Sequence, residues 1–290
     1  MTSAWQERRE RFRGLLTGGE CILPGSVHDP ISARIAHDLG FEAGIFAGST
    51  ASLTVLGAPD SILITLTEFV EQTRRITRAA PLPLLVDADH GYGNALNVMR
   101  TVEELEVAGV AGLSIEDTLL PAAYGHAGAE LITIDEGIGK IRAAVAARKD
   151  TSLVIAARTS APMITGTEDA IARVKAYTAE GPDAIFLIGV ASAAQLREIA
   201  AATHLPIILG GGGAAMATLE ELAADGVAVV LRGHLPIQAA TQAVYLTLKA
   251  IREGARAEGV AGLPAASLMQ KATRDDEYAA WAREFLGAKG

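Results

Sequence analysis

Three observations predict an α/β fold built as a parallel barrel. Eight short apolar runs recur along the 290 residues, most followed by a polar or glycine-bearing turn and a helical stretch. The runs are continuously apolar rather than alternating, which is the pattern of parallel strands covered on both faces. The length suits a strand-helix barrel, which takes about 250 residues, and nothing resembles a Pro- or Ser-rich linker. We therefore expect one domain over residues 1–290, a (β/α)8 barrel of the TIM type, with a doubly wound sheet as the alternative.

The elements follow in order. Residues 1–18 read as a helix with a charged face, Glu7-Arg8-Arg9-Glu10-Arg11. Cys21-Ile22-Leu23-Pro24-Gly25-Ser26 is the first strand, and Asp29-Pro30 starts a helix over 31–39. Ala43-Gly44-Ile45-Phe46-Ala47-Gly48 is the second strand; Thr65 or Thr67 caps a helix over 66–79. Leu82-Pro83-Leu84-Leu85-Val86-Asp87 is the third, and Asn94 caps a helix over 95–108. The fourth strand, Ala111-Gly112-Leu113-Ser114-Ile115-Glu116, is followed by a helix over 134–147. Strands five to eight fall at 152–158, 184–188, 205–209 and 227–231, with a helix over 193–201. The tail from about 263 to 290 forms one or two helices with Met269, Tyr278, Trp281 and Phe285 at roughly helical spacing. Aromatics are only 4% of the chain, so this tail concentrates them. Packing on the same subunit and packing on a neighbour both explain that.

Composition narrows the function classes. Lys plus Arg number 25 against 34 Asp plus Glu, a formal charge of −9, which disfavours nucleic acid or an anionic membrane as partner. A single cysteine, Cys21, excludes an internal disulfide and a multi-cysteine zinc site, and its place at the start of a strand suits packing. The charged N-terminal stretch lacks the apolar core of a signal peptide, and no apolar run reaches the roughly 18 residues of a membrane span. A cytoplasmic protein without membrane attachment is the expectation.

A parallel barrel builds its active site at the C-terminal ends of the strands. Unusual polar residues sit there: Ser49 and Thr50 after the second strand, Asp87, Asp89 and His90 after the third, Glu116 and Asp117 after the fourth. Arg158-Thr159-Ser160 follow the fifth, four glycines at 210–213 the seventh, and Arg232-Gly233-His234 the eighth. Two carboxylates near 4 Å repel by about 4 kcal/mol at an effective dielectric near 20, so they stay ionised together only around a positive charge. Asp87, Asp89 and Glu116 are therefore candidate metal ligands, and an all-oxygen set suits Mg²⁺ or Mn²⁺ better than zinc. Plainer readings stand beside these. An isolated Asp after a strand is usually a helix cap, Arg158 can simply pair with the acids, and His234 can be a core histidine. His28, His37, His126 and His204 read as structural or solvated, and His90 as a support behind the metal site. The glycine run suits close backbone approach better than a phosphate cradle.

These motifs carry a resemblance. Asp87-Ala88-Asp89-His90-Gly91-Tyr92-Gly93-Asn94, Ser114-Ile115-Glu116-Asp117 and Ala157-Arg158-Thr159, with Gly48-Ser49 and Ala58-Pro59-Asp60, resemble the isocitrate lyase/phosphoenolpyruvate mutase superfamily over nearly the whole chain. The stretches from Gly91 to Arg100 and from Ile115 to Pro121, with Gly233-His234, are similar to its bacterial oxaloacetate decarboxylase branch. The resemblance implies a barrel whose C-terminal helix is exchanged between subunits of a homotetramer assembled from dimers. It also implies Mg²⁺ and a small 2-oxo dicarboxylate substrate. By position, Asp87 would hold the metal, with Asp60, Asp89 and Glu116 reaching it largely through water. Gly48, Ser49 and Arg158 would hold the substrate carboxylate, and His234 the distal one.

The superfamily's lyases carry a loop motif like Lys-Lys-Cys-Gly, whereas this chain has Tyr124-Gly125-His126-Ala127-Gly128-Ala129-Glu130, without cysteine or lysine. Decarboxylation of a β-keto acid needs neither. The chain departs from the decarboxylase branch at His28, at Ser160 and at the glycines of 210–213. The expected activity is Mg²⁺-dependent decarboxylation of oxaloacetate to pyruvate and CO₂, with Arg158, His234 and Asp60 as catalytic residues. The enzymatic alternative is a C–C lyase on a methylisocitrate- or dimethylmalate-like acid. Phosphonate mutase chemistry is a third choice, and a dicarboxylate-binding barrel without turnover is the non-enzymatic alternative.

Overall fold

A computed structural model describes residues 4–122, 124–125, 128–256 and 259–287; His126 lies outside them. The chain divides into two compact units, Met1–His234 and Leu235–Gly290.

The first unit opens with α1 (Ala4–Thr17), β1 (Gly25–Ser26), α2 (Pro30–Asp38) and β2 (Gly44–Phe46). There follow α3 (Gly48–Ala51), a π-helical turn Ser52–Leu56, α4 (Leu66–Ala79), β3 (Leu84–Asp87), α5 (Ala95–Val107) and β4 (Gly112–Glu116). Next are α6 (Ile134–Ala147), β5 (Val154–Thr159), α7 (Ala161–Ile164), α8 (Thr167–Thr178), β6 (Ala184–Ile188) and α9 (Ala193–Ala200). The unit ends with β7 (Ile207–Gly210), a 3-10 turn Ala214–Met216, α10 (Leu219–Ala224) and β8 (Val227–Leu231). All eight strands are parallel and lie in sequence order, which rules out the doubly wound sheet. Ile22 closes the ring. It bridges Val229 in parallel, donating its N–H to Ala228 O at 2.9 Å and accepting from Val230 N–H at 2.9 Å.

The caps read from the sequence are in place. Asp29, Thr65 and Asn94 each accept from first-turn N–H groups, in boxes reciprocated by Ser32, Glu68 and Asn97, so Thr65 rather than Thr67 starts α4.

The strands are apolar throughout because both of their faces are covered. Ile45, Leu85, Val154, Ala156, Phe186, Ile208 and Val229 form one core cluster with Phe12 and Leu16 of α1. Phe46, Val86, Leu113, Ile115, Ile155, Leu187 and Val230 form the second with the helices. The charged face of α1 serves the backbone: Arg9 donates to Val110 O at 3.0 Å and Glu106 O at 2.6 Å, and Arg13 to Ser152 O at 2.9 Å. These carbonyls lie before β4 and β5, so α1 plugs the end of the barrel opposite the strand C-termini. Cys21 is buried here, and burial pushes its thiol up to about 11 against an opposing pull from Arg232.

The second unit holds α11 (Leu235–Arg252), α12 (Ala266–Thr273) and α13 (Asp275–Leu286), beginning well upstream of 263. Within α13, Tyr278 and Trp281 meet edge to face with centroids 5.2 Å apart.

Candidate active site

Sheet register builds the site. Asp87 closes β3, Glu116 closes β4, and Glu116 stands directly opposite Arg158 of β5. One cavity at these strand ends is lined by Ser49, Asp60, Asp87, Asp89, Glu116, Arg158 and His234. Gly48 stands behind Asp89.

Arg158 is the centre of the acid group. Its Nη1 donates to Asp87 Oδ2, and its Nη2 lies 3.0 Å from Glu116 Oε2. The pairing suggested by the plainer sequence reading is therefore real. Burial opposes its charge, but Asp87 and Glu116 outweigh that and hold the guanidinium above its usual range. Its guanidinium also lies 5.5 Å from the centroid of the Phe186 ring. The carboxylates have further supports. Ser114 Oγ donates to Asp87 Oδ1 at 3.0 Å, and Thr118 Oγ1 to Glu116 Oε2 at 3.1 Å.

Asp89 is placed by backbone rather than by a side-chain partner. Its φ of 48° is left-handed, and its N–H donates to Asp87 Oδ1 at 3.3 Å. The turned carboxyl rests against Gly48, where a Cβ would come 2.7 Å from Asp89 Cγ. Only glycine at position 48 leaves that room.

The electrostatics show an excess of negative charge. Burial, then Asp87 and Glu116, push the Asp89 carboxyl well above its ordinary range. Burial and Asp87 raise Glu116 although Arg158 pulls against them, and burial and Asp87 raise Asp60. A bound cation lowers the cost of keeping such buried carboxyls ionised.

The donor set fits a divalent metal. It is all oxygen, and its carboxyls Asp60, Asp89 and Glu116 are all raised by burial and by the charge of Asp87. Among the described residues, however, no three His, Cys, Asp or Glu side chains stand in a metal-holding arrangement. Asp87, Asp89 and Glu116 line one cavity without forming a ready shell, because the Arg158 fork already spans Asp87 and Glu116.

His234 closes the far side after β8. Its Nδ1 lies 2.8 Å from Ser26 Oγ at the end of β1, leaving Nε2 as the other ring nitrogen. Burial lowers its pKa while Asp87 and Asp60 pull it up. His90 is buried beside the site, lowered to about 4 by burial and then by Lys140, and its backbone carbonyl accepts from Lys140 Nζ at 3.0 Å.

Other polar residues at strand ends serve the frame. Asp117 pairs with Arg173, away from the cavity, and Arg232 donates to Ala215 O at 3.0 Å. Ser160 is buried at the start of α7, and the cavity wall does not include it. Gly210 and Gly211 do line the cavity, and a Cβ on Gly212 would crowd the Val190 backbone, so the glycine run serves close approach.

Sequence reasoning missed the supports Ser26, Ser114 and Thr118, and the apolar cavity wall of Phe186, Ile188 and Leu231. Ser26 ends a strand, so the strand-end rule that found the acids also points to it. The apolar wall carried no signal, being indistinguishable from core.

Comparison with known proteins agrees with this geometry. Residues 12–252 match the family described as phosphoenolpyruvate phosphomutase. The chain belongs to the phosphoenolpyruvate phosphomutase family. Within reach of that family, the chain is 56% identical over 286 residues to an oxaloacetate decarboxylase of Bradyrhizobium diazoefficiens, covering 99% of both chains. Among solved structures, oxaloacetate acetylhydrolase with the inhibitor 3,3-difluorooxalacetate matches at 31% identity and a TM-score of 0.85, over 98% of this chain and 99% of that one. Phosphonopyruvate hydrolase with oxalate and Mg²⁺ matches at 28% identity and a TM-score of 0.84, over 96% and 99%. Among the described residues no helix is long and apolar enough to cross a membrane.

Proposed function

We infer that the chain is a carboxy-lyase that converts oxaloacetate to pyruvate and CO₂. The observation that carries this is 56% identity across 99% of both chains with an oxaloacetate decarboxylase, joined to one cavity that holds acids, Arg158 and His234. Mg²⁺ is the metal of the reading; it is present in the phosphonopyruvate hydrolase structure, and Mn²⁺ would fit the same all-oxygen set. Asp87, Asp89 and Glu116 would hold it, with Asp60 at the rim. When bound, the metal supplies Lewis-acid stabilisation of the negative charge that builds on the keto oxygen.

The chain's own residues do the rest. Arg158, its guanidinium at the cavity wall, and Ser49 beside Gly48 would fix the carboxylate next to the keto group, the Arg158 charge drawing it in and the Ser49 hydroxyl donating to it. His234, its ring set by Ser26, would orient the other carboxylate so that the breaking C–C bond lies along the π-system of the carbonyl. Phe186, Ile188 and Leu231 would keep water off the leaving carboxylate. The proton that replaces CO₂ on carbon would come from within the cavity, whose wall includes the raised carboxyl of Asp60.

A cytoplasmic location belongs to this reading, in keeping with a single free cysteine. So does a homo-oligomer built from dimers, in keeping with the apolar residues gathered in the tail, Met269, Tyr278, Trp281 and Phe285. The test is pyruvate release from oxaloacetate with Mg²⁺, against enzyme-free and Asp87→Ala controls, beside methylisocitrate and dimethylmalate. Fast turnover of oxaloacetate alone that Asp87→Ala abolishes is the expected result. Turnover of the hydroxy acids alone would replace the reading with a C–C lyase, and a fully active Asp87→Ala enzyme would overturn the metal assignment.

A further inference from the structure

Next to Glu116 in the chain lies a buried polar cluster that the proposed chemistry does not use. Asp117 is 2% exposed, Tyr177 1% and Arg173 6%. Tyr177 Oη donates to Asp117 Oδ2 at 2.9 Å, and Arg173 Nη1 lies 3.0 Å from the same oxygen. Arg173 Nη1 also donates to Ile132 O at 3.0 Å, and its Nε to Asp169 Oδ2 at 2.7 Å. Burial raises the Asp117 carboxyl, with Thr159, Tyr177 and Arg173 pulling it back.

A second feature shows that the cluster is accommodated by its neighbours. Gly137 lies inside α6, where glycine costs about 1 kcal/mol against alanine. A Cβ at that position would come 2.7 Å from Tyr177 Cζ and closer to its hydroxyl. A side chain there would push the phenol off Asp117.

The cluster also sits where two ends of one segment meet. Ile132 N–H donates to Asp117 O at 2.9 Å, Leu119 N–H to Glu130 O at 2.8 Å, and Thr118 bridges Leu131 in antiparallel fashion. The segment rooted there contributes Leu120 and Ala122 to the cavity wall, while Glu116 and Thr118 flank Asp117 on the site side.

The geometry points to Asp117, Arg173 and Tyr177 as positioning residues: Arg173 and Tyr177 of α8 hold Asp117, pin both roots of the 118–131 segment and thereby set Glu116 and the cavity wall above it. Arg173 performs the pinning in one step, holding the Asp117 carboxylate on one root and the Ile132 carbonyl on the other. This rests on the site assignment above and gives it a residue set that touches no substrate.

Tyr177→Phe deletes only the hydroxyl, and Gly137→Ala displaces the ring without touching a charge. Removing Arg173 would strand a buried carboxylate and endanger folding, so it is not the first variant to make. The readouts are kcat and KM for oxaloacetate, Mg²⁺-dependent oxalate affinity by calorimetry, and amide exchange at Asp117, Leu119 and Ile132. Both variants should stay folded, exchange those amides faster, and lose about 10- to 100-fold in oxalate affinity or kcat, the usual cost of losing a ligand's outer support. Arg197→Ala, which breaks an exposed pair with Asp225, should change none of these. Unchanged affinity and kcat in folded Tyr177→Phe and Gly137→Ala would overturn the inference, whether or not the amides exchange faster. If the unmodified protein leaves oxaloacetate intact, the substrate reading fails, while exchange and oxalate affinity still decide this one.

Discussion

Gly48→Ala is the most discriminating single substitution this site offers. Gly48 opens α3 with ordinary backbone geometry, so the backbone itself accepts alanine, whose lower unfolded-chain entropy is worth about 0.4–1 kcal/mol in favour of the fold. The new Cβ, however, would lie 2.4 Å from both Asp89 carboxyl oxygens, where ordinary contact begins near 3.4 Å. The Asp89 carboxyl must therefore retreat by roughly 1 Å, the scale of misplacement that can cost about 100-fold in rate. Asp89 cannot swing freely, because its backbone is held left-handed and its N–H is tied to Asp87. We expect the crowding to cost about 1–3 kcal/mol of stability, partly offset by the backbone gain, and kcat/KM for oxaloacetate to fall on the order of 100-fold. Mg²⁺-dependent oxalate affinity should fall with it. The assay is pyruvate formation coupled to lactate dehydrogenase, with the metal-catalysed background subtracted. A Gly48→Ala enzyme with parental kcat/KM and oxalate affinity would refute the argument, because the position of the Asp89 carboxyl would then have no bearing on the chemistry.

Other predictions follow from the same geometry. Arg158→Lys keeps the charge but loses the fork spanning Asp87 and Glu116, and kcat/KM should fall about 10- to 100-fold, the worth of one charge-assisted hydrogen bond at about 1.5–3 kcal/mol. Parental steady-state kinetics would contradict it. Ser26→Ala frees His234 Nδ1 and should raise KM for oxaloacetate about fivefold, the worth of a neutral hydrogen bond near 1 kcal/mol, with kcat less affected. A change in kcat alone would argue that His234 does something other than grip a carboxylate. Cys21, pushed up to about 11, stays a thiol at pH 8, so iodoacetamide should label the folded protein slowly and faster as pH rises towards 11. Cys21→Ala should keep near-parental turnover in the pyruvate assay, and loss of activity would place the thiol in the chemistry.

Eight strands, their order and the gathering of acids and Arg158 at one rim of the barrel were legible in the sequence. Continuous apolar runs ending in Asp87, Glu116 and Arg158 encode that locally: strand direction sends these ends to one rim, and period-two side chains send one face inward. The starts of α2 and α5 were legible for the same reason, and that of α4 to within two residues, since a cap such as Asp29 or Asn94 is decided within four residues. Short helices such as α3 and α7 were not legible, because four residues carry no period to read.

Tertiary structure alone decided how the polar residues divide their work. Asp117 and Glu116 are neighbours in the chain, yet one faces Arg173 behind the strand and the other faces Arg158 in the cavity. Ser26 and His234 lie 208 residues apart and meet only because the ring of strands closes at Ile22. The room for the Asp89 carboxyl depends on what is missing from Gly48, one strand away. The physical reason is common to all three. A strand's composition fixes which atoms reach the rim, but a contact across the rim depends on register, twist and closure, which are set by the packing of the whole barrel.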